Sequence, residues 1–87
     1  MPNVFIPPQL RDVTGGIAQV TVEAQSVRQA IDALEAQFPG IKARLCKDDE
    51  LVPGLQASVD QTMTTRSLRT PLKPASELHF LPAFGGG

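Results

Sequence analysis

Three consecutive glycines, Gly85, Gly86 and Gly87, follow an apolar segment that ends at Phe84. Glycine loses the most backbone entropy on ordering and has no side chain to bury, so this tail adds little to folding. A strip without Cβ atoms is slim enough to enter a narrow channel, and we expect a free carboxylate on Gly87. The tail is therefore predicted to be the functional end of the chain. A linker or tag remnant is the alternative interpretation.

The other side chains that could do chemistry are isolated in the sequence. Cys46 stands next to Arg44 and Lys47, whose positive charges would lower the pKa of a reactive thiol; a passenger thiol is the simpler interpretation. His79 has no second histidine or cysteine near it in the sequence, so we predict no metal site. We place His79 on the polar or partner-facing side of a strand.

A modest basic cluster comprises Arg66, Arg69 and Lys73. A solvated loop is its default interpretation, and a dock for an acidic partner is the alternative. Gly15 and Gly16 lack the strand–glycine–helix context of a phosphate loop and indicate a turn. No Ser/His/Asp set and no pair of carboxylates has a catalytic spacing, so we predict no catalytic residues in this chain.

Length and composition set limits on the class of protein. A chain of 87 residues is one domain with a single core. A hydrophobic content of 41% and a net charge of −1 indicate a globular chain that binds neither nucleic acid nor membrane. No apolar run is long enough for a bilayer, and no signal peptide is apparent. The single cysteine, Cys46, excludes an internal disulfide and favours a cytoplasmic location.

The first elements that hold these residues are two strands. Residues 4–6 are β-prone and end at Pro7 and Pro8, which lack amide donors. We expect Leu10 to fold back onto the core, and residues 12–16 to form a turn.

Residues 17–22 alternate in polarity and pair with the first strand as a hairpin. The side chains predicted to share one face are those of Ala18, Val20 and Val22.

A helix follows, beginning at Ser26, which forms a capping box with Gln29. Pro39 and Gly40 end it, and residues 41–45 add a further helical turn. Apolar residues at helical spacing form one stripe, comprising Val27, Ala30, Ile31, Leu34 and Phe38.

The second half of the chain predicts shorter elements. Residues 47–50 are a charged loop, and residues 55–59 alternate as a third strand. Residues 63–68 are ambiguous between a loop and a short strand. The two prolines within residues 70–74 exclude a central strand there.

Residues 77–81 form the last strand, with Leu78 and Phe80 on one face and His79 and Leu81 on the other. Its apolar character places it centrally, beside the first strand.

The element order β-β-α-β-(β)-β predicts an α+β fold of the ubiquitin-like β-grasp type, a mixed sheet covered by one main helix. We assign residues 1–84 to this domain and residues 85–87 to a flexible glycine tail.

Three segments resemble the small ubiquitin-like sulfur carriers, a family that includes the molybdopterin synthase small subunit, the thiamine sulfur carrier and the carriers of a mycobacterial type of cysteine synthesis. Residues 4–16 contain IPPQLRDVTGG, similar to the IPxxLRxxTGG opening of the cysteine-type carriers. Residues 26–45 resemble their helix and its exit. Residues 81–87, LPAFGGG, resemble the LPAxAGG ending, with Gly85 where the family often has alanine. Of the acidic DGDE turn that family members often carry before the last strand, residues 73–77 keep only the glutamate, Glu77. The loop at residues 60–63 lacks the family's asparagine-rich signature.

The resemblance implies that Gly87 is adenylated and converted to a thiocarboxylate that donates sulfur in cysteine biosynthesis. The chain is then a protein co-substrate rather than an enzyme, with no bound cofactor, and ATP is used by its activating enzyme. The implied partners are that adenylating enzyme, a sulfur-accepting enzyme such as a cysteine synthase, and a metalloprotease. Gly85 and Gly86 thread into the partner's channel. The residues expected to dock on the partner are Phe84, His79 and Leu81.

Two alternatives share the same tail chemistry. The chain could be the small subunit of molybdopterin synthase, with its tail inserted into the large subunit. It could also be a ubiquitin-like protein modifier that is conjugated to lysines through Gly87.

Overall fold

A mixed five-stranded sheet covered on one face by a helix organises the molecule. The computed structural model describes residues 1–64 and 68–82. In chain order the elements are β1 (Asn3–Phe5), a 3₁₀ turn (Pro8–Leu10), β2 (Gln19–Thr21), α1 (Val27–Gln37), α2 (Ile41–Leu45), β3 (Cys46–Lys47), β4 (Glu50–Leu51), β5 (Leu55–Val59), β6 (Thr62–Met63) and β7 (Glu77–Pro82). The main sheet has the order β2-β1-β7-β5-β6, and β3 pairs with β4 separately. The predicted α+β, β-grasp architecture is confirmed.

The last strand, β7, lies at the centre of the sheet, as the sequence predicted. It runs parallel to β1, with Val4 opposite Leu78, and antiparallel to β5, with Ala57 opposite Phe80. These four side chains are buried and contribute to one aliphatic core. The core residues contributed by α1 are Val27, Ala30, Ile31 and Leu34.

The β1–β2 hairpin is antiparallel, with Val4 opposite Val20, and Leu10 is buried as expected. The observed β2 is shorter than the predicted strand over residues 17–22, since it begins at Gln19 and ends at Thr21. Of the three side chains predicted to share one face, Val22 is buried and Val20 is half-buried, whereas Ala18 is exposed. The Ile6 N–H still donates to the Ala18 carbonyl, at 2.8 Å.

The start of α1 shows how local sequence directs local structure. The Ser26 hydroxyl accepts a hydrogen bond from the backbone N–H of Gln29 at 3.2 Å. The Gln29 side chain accepts in return from the N–H of Gln25, at 2.8 Å, one residue before the cap. The helix ends as predicted, since Gly40 has a φ of 101°, a conformation that favours glycine.

Residues 47–50 form the tip of a two-stranded hairpin rather than a plain loop. Asp48 and Asp49 have φ values of 54° and 63°, which make the tight turn between β3 and β4. Arg28 on α1 forms an ion pair with Asp49 at 3.1 Å. The sequence did not reveal this hairpin because each of its strands is only two residues long.

Within the segment 63–68, for which a short strand was one prediction, Met63 belongs to β6. Residues 65–67 lie outside the described residues. The segment 70–74 forms no central strand, although Pro71 bridges to Ser26. Within the described ranges, neither helix is long and apolar enough to cross a bilayer.

Candidate functional site

The predicted functional end of the molecule begins at the carboxyl end of β7, where the described part of the chain ends. Pro82 is the last described residue of this strand, opposite Leu55 of β5. The predicted threading and docking residues Phe84, Gly85, Gly86 and Gly87 lie outside the described residues. What the structure does define is the support beneath them, a strand paired on both sides.

The other end of β7 is fixed by a hydrogen-bond network around Asp60. Its carboxylate accepts from the N–H of Glu77 and from the Ser76 hydroxyl, each at 2.9 Å. The N–H of Asp60 donates to the carbonyl of Glu77 at 3.0 Å. Ser76, only 1% exposed, also accepts from the N–H of Lys73. The Glu77 N–H and then the Ser76 hydroxyl hold the pKa of Asp60 below its usual value.

The sheet face opposite α1, which we call the outer face, carries a row of cross-strand neighbours. The row follows the strand register from β2 to β6 through Gln19, Phe5, His79, Ser58 and Met63. The rings of Phe5 and His79 are stacked, with centroids 4.1 Å apart and an interplanar angle of 7°.

Leu81 lies on the same face and is 37% exposed, while Met63 is 50% exposed. The outward residues of the described main-sheet strands include no lysine or arginine. This placement matches the prediction that His79 and Leu81 lie on one face of the last strand. Their role in docking remains a prediction.

An open cleft of ≈ 350 Å³ lies beside the end of β7. It forms where Pro7 and Pro8 follow β1, and its wall includes Leu81, Ala18 and Arg11. Arg11 is half-buried, and its Nε donates to the carbonyl of Ile6 at 3.2 Å. The sequence reasoning assigned no role to Arg11. Its position inside the opening motif, directly after the buried Leu10, was the available signal.

Cys46 is the first residue of β3, which belongs to the separate two-stranded sheet, and it is half-buried. Burial raises the pKa of its thiol, and the positive charges of Lys42 and Arg28 offset this only in part. The interpretation that Arg44 and Lys47 activate Cys46 is wrong, because the tertiary structure makes burial the dominant influence. A passenger thiol is the supported interpretation.

Of the predicted basic cluster, Arg69 and Lys73 are exposed, and Arg66 lies outside the described residues. Within the described part of the chain, no three His, Cys, Asp or Glu side chains are grouped to hold a metal ion.

A family model for ThiS matches residues 4–87. The chain belongs to the ThiS family. Members of this family are small sulfur-carrier proteins, substrates rather than catalysts. The resemblance stated from the sequence is thereby confirmed, and the chain is a sulfur carrier with a ubiquitin-like fold.

Solved structures agree with the ThiS assignment. A chain of the Amycolatopsis orientalis BexX/CysO complex is 34% identical, with a TM-score of 0.89 and 100% of both chains covered. Mycobacterium tuberculosis CysO, described as an antigen, is 27% identical at a TM-score of 0.85, covering 95% of this chain and 99% of its own. SAMP1 from Haloferax volcanii is 25% identical at a TM-score of 0.71, covering 99% and 98%. No curated protein matches the sequence.

Proposed function

We propose that Gly87 of this ThiS-family carrier is adenylated by an ATP-dependent enzyme and converted to a thiocarboxylate that donates sulfur in cysteine biosynthesis. The family match that extends to residue 87 is the observation that carries this proposal. The likeness to two CysO chains, one of them from a complex with BexX, supports both the pathway and the need for partner proteins.

The chemistry follows from the weak electrophilicity of a carboxylate. Attack of the Gly87 carboxylate on the α-phosphorus of ATP releases pyrophosphate and leaves an acyl adenylate. A persulfide sulfur then displaces AMP, and a thiol cleaves the resulting acyl disulfide to free the thiocarboxylate. That group is anionic at neutral pH, and a deprotonated sulfur is the nucleophilic form. The carrier needs no base of its own, and it works in a reducing compartment such as the cytoplasm.

The fold supports delivery by separating a fixed strand from a thin tail. The network of Asp60 holds the start of β7, and pairing with β1 and β5 holds its length. Residues 83–87, extended at ~3.3–3.6 Å per residue, span roughly 17 Å. Gly87 can therefore reach a buried site while the outer face, with Leu81 and His79, contacts the partner's surface.

Intact mass spectrometry tests the proposal directly. Incubation with the activating enzyme, ATP and a sulfur source is expected to add about 16 Da at Gly87, for exchange of oxygen by sulfur. A persulfide on Cys46 would instead add about 32 Da and would be removed by a thiol reductant. Cys46→Ser is the matched control, and it should load like the wild type. A product that requires Cys46, or that disappears on reduction, would contradict the proposal.

The likeness to SAMP1, whose full name calls it a small archaeal modifier protein, favours one second candidate function. In that case the activated Gly87 forms an isopeptide bond with lysines of other proteins. Tryptic digests of cell extract would then contain lysines linked to residues 70–87, because Arg69 is the last arginine of the chain and Lys73 precedes a proline. No relative named above favours the role of molybdopterin synthase small subunit.

A further inference from the structure

Arg11 and Arg44 line two clefts near the carboxyl end of β7. Arg11 lines the cleft on the β1 side, together with Leu81. Arg44 lines a second cleft, of ≈ 240 Å³, together with Leu55, which is the register partner of Pro82 on the β5 side. The two residues are 33 positions apart in sequence (44 minus 11), and only the fold brings both to this end of the molecule.

Both guanidinium groups are held by main-chain carbonyls. The Nε of Arg11 donates to the carbonyl of Ile6 at 3.2 Å, and the Nη2 of Arg44 donates to the carbonyl of Gln9 at 3.1 Å. A guanidinium has five N–H donors, so each arginine retains donors for a further acceptor. Each guanidinium group is already oriented by its hydrogen bond to a main-chain carbonyl. Less side-chain entropy is therefore lost when a further acceptor binds.

These two arginines lack the short ion pairs of Arg28 and Lys42, whose carboxylate partners lie at 3.1 and 2.7 Å. Among residues 1–64 and 68–82, no ion pair includes Arg11.

Arg44 lies 3.6 Å from Asp12, and the two side chains are 47% and 71% exposed. A surface pair of this kind is worth little, so a partner's carboxylate can replace Asp12.

We propose that Arg11 and Arg44 bind aspartate or glutamate carboxylates at the mouth of the channel that receives the tail in the activating enzyme. The proposal rests on the proposed function, because threading of Gly87 brings this end of β7 against the channel rim. Guanidinium and carboxylate groups form paired, charge-assisted hydrogen bonds. Nucleic-acid phosphates fit less well, since two arginines in a chain of net charge −1 make no basic surface. Charges at a rim mainly steer and orient the encounter, which suits a carrier that must leave after loading.

Pyrophosphate release by the activating enzyme, measured against carrier concentration, tests this contact. The double variant Arg11→Gln, Arg44→Gln is expected to raise the KM for the carrier about tenfold, with kcat unchanged, as for the loss of rim charges. Added salt should raise the wild-type KM more than that of the double variant. Arg28→Gln is the matched control, because it removes the same charge from a residue that lines neither cleft, and its KM should equal that of the wild type.

Arg11→Lys combined with Arg44→Lys keeps both charges and should recover most of the loss in KM, and thermal melts should show that every variant is folded. A double glutamine variant with the wild-type KM and salt dependence would overturn the inference. An equal rise in KM for Arg28→Gln would also overturn it, because net charge alone would then explain the effect. A fall in kcat at constant KM would overturn it as well. Failure of the wild type to be adenylated would instead contradict the proposed function.

Discussion

Leu78 and Phe80 lie on one face of β7, whereas His79 and Leu81 lie on the other. The first pair is 0% and 3% exposed beneath α1, while Leu81 is 37% exposed. Alternation along a single strand therefore gives the core two of its central residues and gives the outer face two residues that are predicted to dock on a partner. In that prediction, stability and partner binding depend on different side chains of one strand.

The two sides of the molecule also differ in charge. The helix and hairpin side carries the pairs Arg28–Asp49 and Lys42–Asp32. The outward residues of the described main-sheet strands include Glu77 as their only Asp, Glu, Lys or Arg. A partner that covers the outer face therefore desolvates few charges, and this lowers the cost of a transient contact. Charge that can orient the partner is concentrated at the end of β7 instead.

The largest effect on the free energy of unfolding is expected on the covered face. Leu78→Ala leaves a cavity in the centre of the core and should destabilise the domain by about 3 kcal/mol, within the usual range for buried leucines. Chemical denaturation measures this change. Leu81→Ala, on the other face of the same strand, is the matched control and should cost less than about 1 kcal/mol. Equal losses for the two variants would contradict the division of β7 into two faces.

The next effect is expected on partner binding. Leu81→Asp places a charge on the outer face and should weaken binding to the activating enzyme about tenfold, because that charge must be desolvated in the contact. Titration calorimetry measures the Kd, and a thermal melt checks the fold. Ala36→Asp adds the same charge at an exposed position of α1, and should leave the Kd unchanged. A smaller effect at Leu81 than at Ala36 would show that the partner docks elsewhere.

A smaller, pH-dependent effect is expected at the start of β7. Because hydrogen bonds lower the pKa of Asp60 in the folded state, its ionised form stabilises the fold above the unfolded-state value near ~4. This stabilisation is lost as pH falls through the lower folded-state pKa.

Asp60→Asn should therefore lower the Tm at neutral pH and reduce the steepness of the acid transition. Asp48→Asn removes the same charge from the exposed turn between β3 and β4. Thermal melts between pH 2 and pH 7 compare the two, and identical profiles would show that the Asp60 network does not stabilise the fold.

The smallest effect on stability is expected from the tail. Deletion of Gly86 and Gly87 should shift the Tm by less than about 1 °C, because residues at a chain end bury little. Adenylation should disappear at the same time. Differential scanning calorimetry and the intact-mass assay measure the two quantities on the same sample. A substantial loss of Tm would show that the glycines pack onto the domain and that tail and fold are not separate.

The elements that were predicted correctly depend on local signals. Ser26 and Gln29 mark the start of α1 through hydrogen bonds within one turn of helix. Alternation alone separated Leu78 and Phe80 from His79 and Leu81. Alternation also predicted a strand over residues 17–22, which is longer than the observed β2, and it did not indicate that Ala18 is exposed. The hairpin of β3 and β4 was missed because two-residue strands carry no periodicity.

The sequence by itself determined the central strand, the main helix, the sulfur-carrier resemblance and the expectation of chemistry at Gly87. Only the tertiary structure brought Arg11 and Arg44 to clefts near the end of β7, stacked Phe5 on His79, and buried Cys46 enough to raise the pKa of its thiol. The physical reason is range. Caps, turns and alternation act over a few residues, whereas pairing register and solvent exposure depend on segments that are distant in the chain.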